Sequence, residues 1–122
     1  MVKNCKDIKF NVDLRHRKAI IYGQNLIGTT HGDGAKTHDL PLLLAHEFKA
    51  EWAKTKFRYI YTNHIHHKQS KDYIGVTIES SRSLSAADRW HADNGYQHAK
   101  RALEVYIHCK ENGQIARFTK NI

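Results

Sequence analysis

Asp39-Leu-Pro-Leu-Leu-Leu-Ala-His-Glu-Phe-Lys-Ala-Glu-Trp52, followed closely by Phe57-Arg-Tyr-Ile-Tyr-Thr-Asn63, reads as a helix that leads into a strand. Asp39 is suited to cap the helix and Pro41 to occupy its first turn, while Leu44, Phe48 and Trp52 recur at a spacing of four and share one apolar stripe. Such a stripe must lie on a sheet. Phe57 to Asn63 has the aromatic and β-branched content of a strand of that sheet. Because strand side chains alternate, Phe57, Tyr59 and Tyr61 share one face, and His64 and His66 continue the other.

Upstream, Ala19 to Tyr22 and Asn25 to His31 read as short strands separated by Gly23-Gln24, which places His31 at a strand end. Downstream, Tyr73 to Glu79 puts Ile74, Val76 and Ile78 on one face, and Ser85-Ala-Ala-Asp88 resembles a capping box opening a short helix. Near the end Leu103, Val105 and Ile107 alternate with Glu104, Tyr106 and His108, and Asn112-Gly113 is a hairpin signal before Gln114 to Thr119. The expected fold class is α+β with a mostly β core, one main amphipathic helix and one short helix. Residues 1–17 carry Lys3, Lys6, Lys9, Arg15 and Arg17 against Asp7 and Asp13, and read as a basic arm or an edge strand before a single domain over 18–122.

A length of 122 residues with 40% hydrophobic content suits one domain, which buries roughly two-thirds of the unfolded chain's surface. The formal charge of +8 favours an acidic partner: nucleic acid, a phosphorylated ligand or an acidic protein surface. Cys5 and Cys109 form neither a Cys-x-x-Cys pair nor a disulfide framework, so the thiols read as inert in a reducing compartment. No apolar leader opens the chain and no apolar run reaches the roughly 20 residues that span a bilayer. The expected location is the cytoplasm, with no membrane partner.

Six of the ten histidines fall between His31 and His67, concentrated at two strand ends. On an extended backbone His64 and His66 project the same way, and His31 from an adjacent strand end completes a three-histidine face for one ion. Asp33 is the nearest fourth ligand, since Gly32 and Gly34 let its loop turn back. Imidazole ligands in that number suit zinc. The competing reading is a set of hydrogen-bonded surface histidines. Asp88 and His91, three apart on the short helix, suit a role in orienting a ligand imidazole, or a plain surface contact. Lys54, Lys56, Arg58, Lys68 and Lys71 lie in a stretch without acidic residues, interleaved with Phe57, Tyr59 and Tyr61. That pattern suits nucleic acid or partner binding, and equally a solvated strand whose aromatics are core.

The runs Gly28-Thr-Thr-His-Gly-Asp33, Asp39-Leu-Pro-Leu-Leu-Leu44, Trp52-Ala-Lys-Thr55, Asn63-His-Ile-His66 and Asp88-Arg-Trp-His-Ala-Asp-Asn-Gly-Tyr96 resemble the C-terminal half of phage-type calcineurin-like metallophosphoesterases, over about residues 18 to 119. The resemblance implies half of a metallophosphoesterase-like β-sandwich, with the family's histidine ligands at His31, His64 and His66. The family's Asp-x-His motif, bridging aspartate and Asn-His pair have no counterpart before His31; Asp13-Leu-Arg-His16 has a different spacing, and Asn63 replaces the glycine before His-x-His. Two-metal phosphoesterases need a bridging carboxylate to hold both ions. The resemblance therefore implies one zinc ion and a non-catalytic, phage-encoded binding protein in the host cytoplasm. The most concrete version is an anti-CRISPR-like inhibitor of a nucleic-acid-guided defence nuclease. The alternatives are a metal-dependent phosphodiesterase, using manganese and acting alone, as a homodimer or with a separate N-terminal half, and a nucleic-acid-binding module.

Overall fold

The computed structural model describes residues 6–65, 68–84 and 100–122. Residues 6–16 form no helix or strand, and the chain enters the sheet at Arg17. β1 (Arg17–Tyr22) and β2 (Asn25–Thr30) form an antiparallel pair across Gly23-Gln24, with Tyr22 opposite Asn25. A 3-10 turn at Thr37–Asp39 leads into α1 (Leu40–Glu47) and α2 (Lys49–Lys54), and β3 (Phe57–Thr62) returns parallel to β2. β4 (Gln69–Tyr73) and β5 (Val76–Ser80) form a second hairpin, with β5 parallel to β3. The sheet order is β1-β2-β3-β5-β4, three parallel strands with an antiparallel strand at each edge. β6 (Ala102–Cys109) and β7 (Gly113–Asn121) pair as a separate two-stranded layer. This is the expected α+β class with a mostly β core.

The apolar stripe lies on the sheet as its spacing requires. Leu40, Leu44 and Phe48 pack with Leu26, Ile60, Val76 and Ile78 in one buried cluster, and Trp52 packs against its edge. Burying each large side chain contributes roughly 1.5–3 kcal/mol, which makes this layer the main source of stability. The helix differs from expectation in two details. Asp39 sits at φ −87 and ψ −18 inside the 3-10 turn and makes no side-chain cap, because an N-cap needs extended backbone. At Phe48 (φ −123, ψ 50) the helix breaks into two, yet Phe48 stays buried and its carbonyl accepts the Trp52 N–H at 2.8 Å. The stripe survives the break.

The β6–β7 layer covers the other face. Its inward residues are Tyr106, His108 and Gln114, which meet Tyr59 and Tyr61 of β3. Leu103, Val105 and Ile107 point outward and are 44%, 46% and 41% exposed. The turn is three residues, Lys110 to Asn112, and not the two-residue turn expected at Asn112-Gly113. Gly113 is the first residue of β7, at φ 78, and a Cβ there would lie 2.5 Å from the Tyr59 hydroxyl. Glycine is therefore fixed by both backbone and space.

Two further corrections concern the second hairpin. Ile74, expected on a buried face with Val76 and Ile78, is fully exposed in the turn, because Tyr73 pairs with Val76 and leaves Ile74-Gly75 as the loop. β4 itself is an edge strand of mostly exposed polar residues, so it carries no apolar alternation. The short helix expected at Ser85 to Asp88 lies outside the described residues. Among the described residues no helix is long and apolar enough to cross a membrane.

Candidate functional site

The parallel strands β2, β3 and β5 end side by side at Thr30, Thr62 and Ser80. Hydrogen bonding continues past their ends: the His31 carbonyl accepts the His64 N–H at 3.0 Å and the Asn63 N–H at 3.4 Å, and the Thr62 carbonyl accepts the Ser81 N–H at 2.8 Å. The carboxyl edge of parallel strands is where open α/β sheets bind ligands. These bonds bring His64 beside His31 across 33 residues of sequence, with His64 Nδ1 3.3 Å from His31 Nε2 and the rings edge to face at 71°. Without an ion, one of the two nitrogens donates the shared proton. Gly32 makes the approach possible. At φ 107 it takes a left-handed turn, and a Cβ would stand 3.3 Å from the His64 Cβ.

The pair's separation has a metal-like bite. Two nitrogens held at 2.0–2.1 Å from a tetrahedral ion stand about 3.3 Å apart. Among the described residues no third His, Cys, Asp or Glu joins the pair. Asp33 is exposed and does not converge on it. His66 lies outside the described residues, as do Asp88 and His91, so three of the expected site residues are not placed.

The basic stretch divides. Lys54, Lys56 and Lys71 are exposed. Arg58 is half-buried: its Nη2 donates to the Trp52 and Thr55 carbonyls at 2.9 and 2.7 Å, closing the end of α2, and its guanidinium lies 4.0 Å over the Trp52 ring. Lys68 reaches inward, donating to Glu79 Oε2 at 2.7 Å and to the Tyr106 hydroxyl at 2.8 Å. Tyr59 and Tyr61 are half-buried between the layers, where the Tyr61 hydroxyl bonds His108 at 2.7 Å and Gln114 at 2.8 Å. Burial pushes the Tyr61 phenol well above its usual range and pulls the His108 imidazole down. The interleaved aromatics thus belong to the fold, and of the five basic residues only the three exposed lysines face solvent freely.

Sequence reading did not find Arg15, His16 and Lys18 as neighbours of His31. They share with it an open cleft of about 470 Å³ that also reaches Asn63 and Ser81, and no acidic residue lines it among the described residues. The available signal was the run Arg15-His16-Arg17-Lys18, of which Arg17 instead bonds Glu47 on α1. A smaller cavity of about 20 Å³ lies on the helix side of the same edge, between His64, Lys71 and Ser80. The buried Ser80 hydroxyl there has no hydrogen-bond partner among the described residues.

No protein-family profile matches the chain, and no curated protein matches it. Solved structures of similar fold include Chaetomium thermophilum Vps29 in complex with a RaPID-derived cyclic peptide, at a TM-score of 0.46 and 16% identity, covering 88% of this chain. They also include the crystal structure of Chaetomium thermophilum Vps29 itself, at a TM-score of 0.49 and 14% identity over 89% of this chain. Vps29 is a calcineurin-like metallophosphoesterase-fold protein, and the likeness is one of fold. The chain spans 60% of the length of each.

Proposed function

We propose that this chain binds one transition-metal ion through His31 and His64, and that it acts by binding and not by turnover. The observation that supports the metal is the 3.3 Å separation of His31 Nε2 and His64 Nδ1, which equals the bite of two ligands on a tetrahedral ion. Imidazole nitrogens suit zinc, and His66, two residues beyond His64, is the third ligand in this reading. A zinc ion held there supplies Lewis acidity or a structural clamp across the ends of β2 and β3. His31 and His64 orient it, and their backbone bond holds the two strand ends in register.

Supporting a binding role, no carboxylate joins the pair among the described residues, and a second ion needs a bridging one. In its finer form the proposal is that of a relative of the C-terminal half of phage-type metallophosphoesterases that inhibits a nucleic-acid-guided host nuclease. That form is supported by the sequence resemblance and by the +8 charge.

The test is the metal content of protein purified without a His-tag or added metal. About one zinc per chain is expected, lost in His31→Ala and in His64→Ala, with cobalt-substituted protein showing tetrahedral visible absorption. Wild-type protein free of metal, or a His31→Ala/His64→Ala protein that keeps its zinc, overturns the site. Two ions per chain with cleavage of a chromogenic phosphodiester overturn the binding role in favour of the phosphodiesterase.

A further inference from the structure

We infer that the open edge of β1 is a self-association surface: two copies of this chain pair antiparallel along residues 19–21, about a two-fold axis at Ile20, and join their sheets edge to edge. The inference does not rest on the metal reading.

β1 is the first strand in the order β1-β2-β3-β5-β4, and among the described residues no strand pairs with its outer side. The register says which groups are left free there. Tyr22 stands opposite Asn25 across a two-residue turn, and the Tyr22 carbonyl points at Asn25, accepting its side-chain amide at 2.8 Å. Hydrogen-bonding direction alternates along an antiparallel strand, so Lys18, Ile20 and Tyr22 spend their backbone groups on β2, while Arg17, Ala19 and Ile21 aim theirs outward. The side chains are as open as the backbone: Ile20, Ile21 and Tyr22 are 55%, 43% and 43% exposed, and residues 19–22 carry no charge. Edge strands are ordinarily blunted by charge, as the opposite edge is by the exposed Lys71 and Asp72 of β4. β1 lacks that guard.

A second copy fits this edge because the register closes on itself. With Ile20 on the axis, Ala19 of each copy faces Ile21 of the other, and since both are aimed outward each pair exchanges both backbone bonds. An axis at Ala19 sets Ile21 against Arg17, and an axis at Ile21 runs the pairing into the Gly23 turn. On the face that carries Asn25 and the β6–β7 layer, Ile20 meets its own copy and Tyr22 meets Lys18 of the second copy; on the helix face Ile21 covers Ala19. No cation stands against a cation. Both cations of β1 are held within their own chain, Arg17 by Glu47 and Lys18 by the Asn11 carbonyl at 3.0 Å. The charge of +8 on each copy opposes approach at low salt and is screened at high salt. A contact along one strand edge falls at the small end of interface sizes, which puts the dissociation constant in the micromolar range.

The test is sedimentation equilibrium of the full chain from micromolar to millimolar concentration, in chelator, so that the outcome is independent of any bound metal. Wild type is expected to pass from monomer to dimer, with the Ala19 and Ile21 amides gaining hydrogen-exchange protection only as the dimer forms. Ile21→Pro removes an outward N–H and leaves the β1–β2 ladder whole, so it is expected to keep the fold and weaken the dimer at least about tenfold. Ile20→Lys, at an exposed position, sets two ammonium groups face to face on the axis and is expected to do the same. An unchanged near-ultraviolet spectrum in either variant separates loss of the dimer from loss of the fold. Ile107→Lys, on the outer face of β6–β7, is expected to leave the dimer intact, and added salt to tighten it. A chain that stays monomeric throughout the range overturns the inference. So does a dimer that survives both β1 substitutions, one that is lost in Ile107→Lys instead, or one that salt dissociates.

Discussion

On the helix side of the sheet Leu26, Ile60, Val76 and Ile78 meet Leu40, Leu44 and Phe48, whereas on the hairpin side Asn25, Tyr59, Tyr61 and Glu79 meet residues that are nearly all polar. The helix layer is held by area removed from water, which is non-directional and indifferent to pH. The hairpin layer is held by paired groups: Tyr61 to His108 and Gln114, the Gln114 N–H to the Tyr59 hydroxyl, and Glu79 to Lys68, Ser70 and Arg117. Each such bond contributes little net stability but is costly to leave half-made. One layer therefore supplies stability, and the other fixes a single register of β6–β7 on the sheet.

The largest expected difference comes from cutting the apolar layer. Leu44→Ala should lower the unfolding free energy in urea by about 3 kcal/mol, with no change in the pH dependence of stability. A loss below 1 kcal/mol would mean that the helix layer is not the main support. Next, Tyr61→Phe keeps the ring and removes the hydroxyl shared by His108 and Gln114, and should destabilise by about 1–2 kcal/mol. Its effect should fall on the near-ultraviolet signal of the aromatic layer. A neutral result would show that the polar partners repair themselves with water.

The smallest effect is on pH, and its sign is fixed by His108. Burial lowers its folded-state pKa below the ordinary histidine value, so the unfolded chain binds the extra proton more readily. The stability it contributes is complete above the ordinary value of about 6.5, declines below it, and is lost as pH falls through the lowered folded-state value. Urea midpoints measured from pH 8 to pH 5 should decline on the acid side, and His108→Gln should flatten that decline. An unchanged slope in the variant would assign the acid sensitivity elsewhere.

What the sequence made legible follows the same division. The apolar layer was readable because it obeys a period: Leu44, Phe48 and Trp52 at a spacing of four, and Val76 with Ile78 at a spacing of two. The polar layer has no period. In β6 the regular apolar residues Leu103, Val105 and Ile107 face out, while Tyr106 and His108 face in because their partners sit on β3 and on the chain after β5. β4 was missed for a related reason, since a polar edge strand is defined by its neighbour and not by its own residues. At the site, His31 and His64 were visible as histidines at strand ends, and parallel pairing of β2 with β3 brings them together. Arg15 was read as part of a basic arm or edge strand and Lys18 was not singled out, because nothing local marks which side of a sheet an approaching segment will cross.

Asn25 has no exposed surface, and its amide nitrogen donates at 2.8 Å both to the Tyr22 carbonyl and to the Cys109 carbonyl 84 residues away, while its oxygen faces His108. The first turn of the sheet and the last turn of the chain are thus fastened by one side chain. During synthesis the amino-terminal hairpin can close its own bond to Tyr22 early, but the bond to Cys109 must wait until residues 108 and 109 have emerged, so the two turns are locked together late.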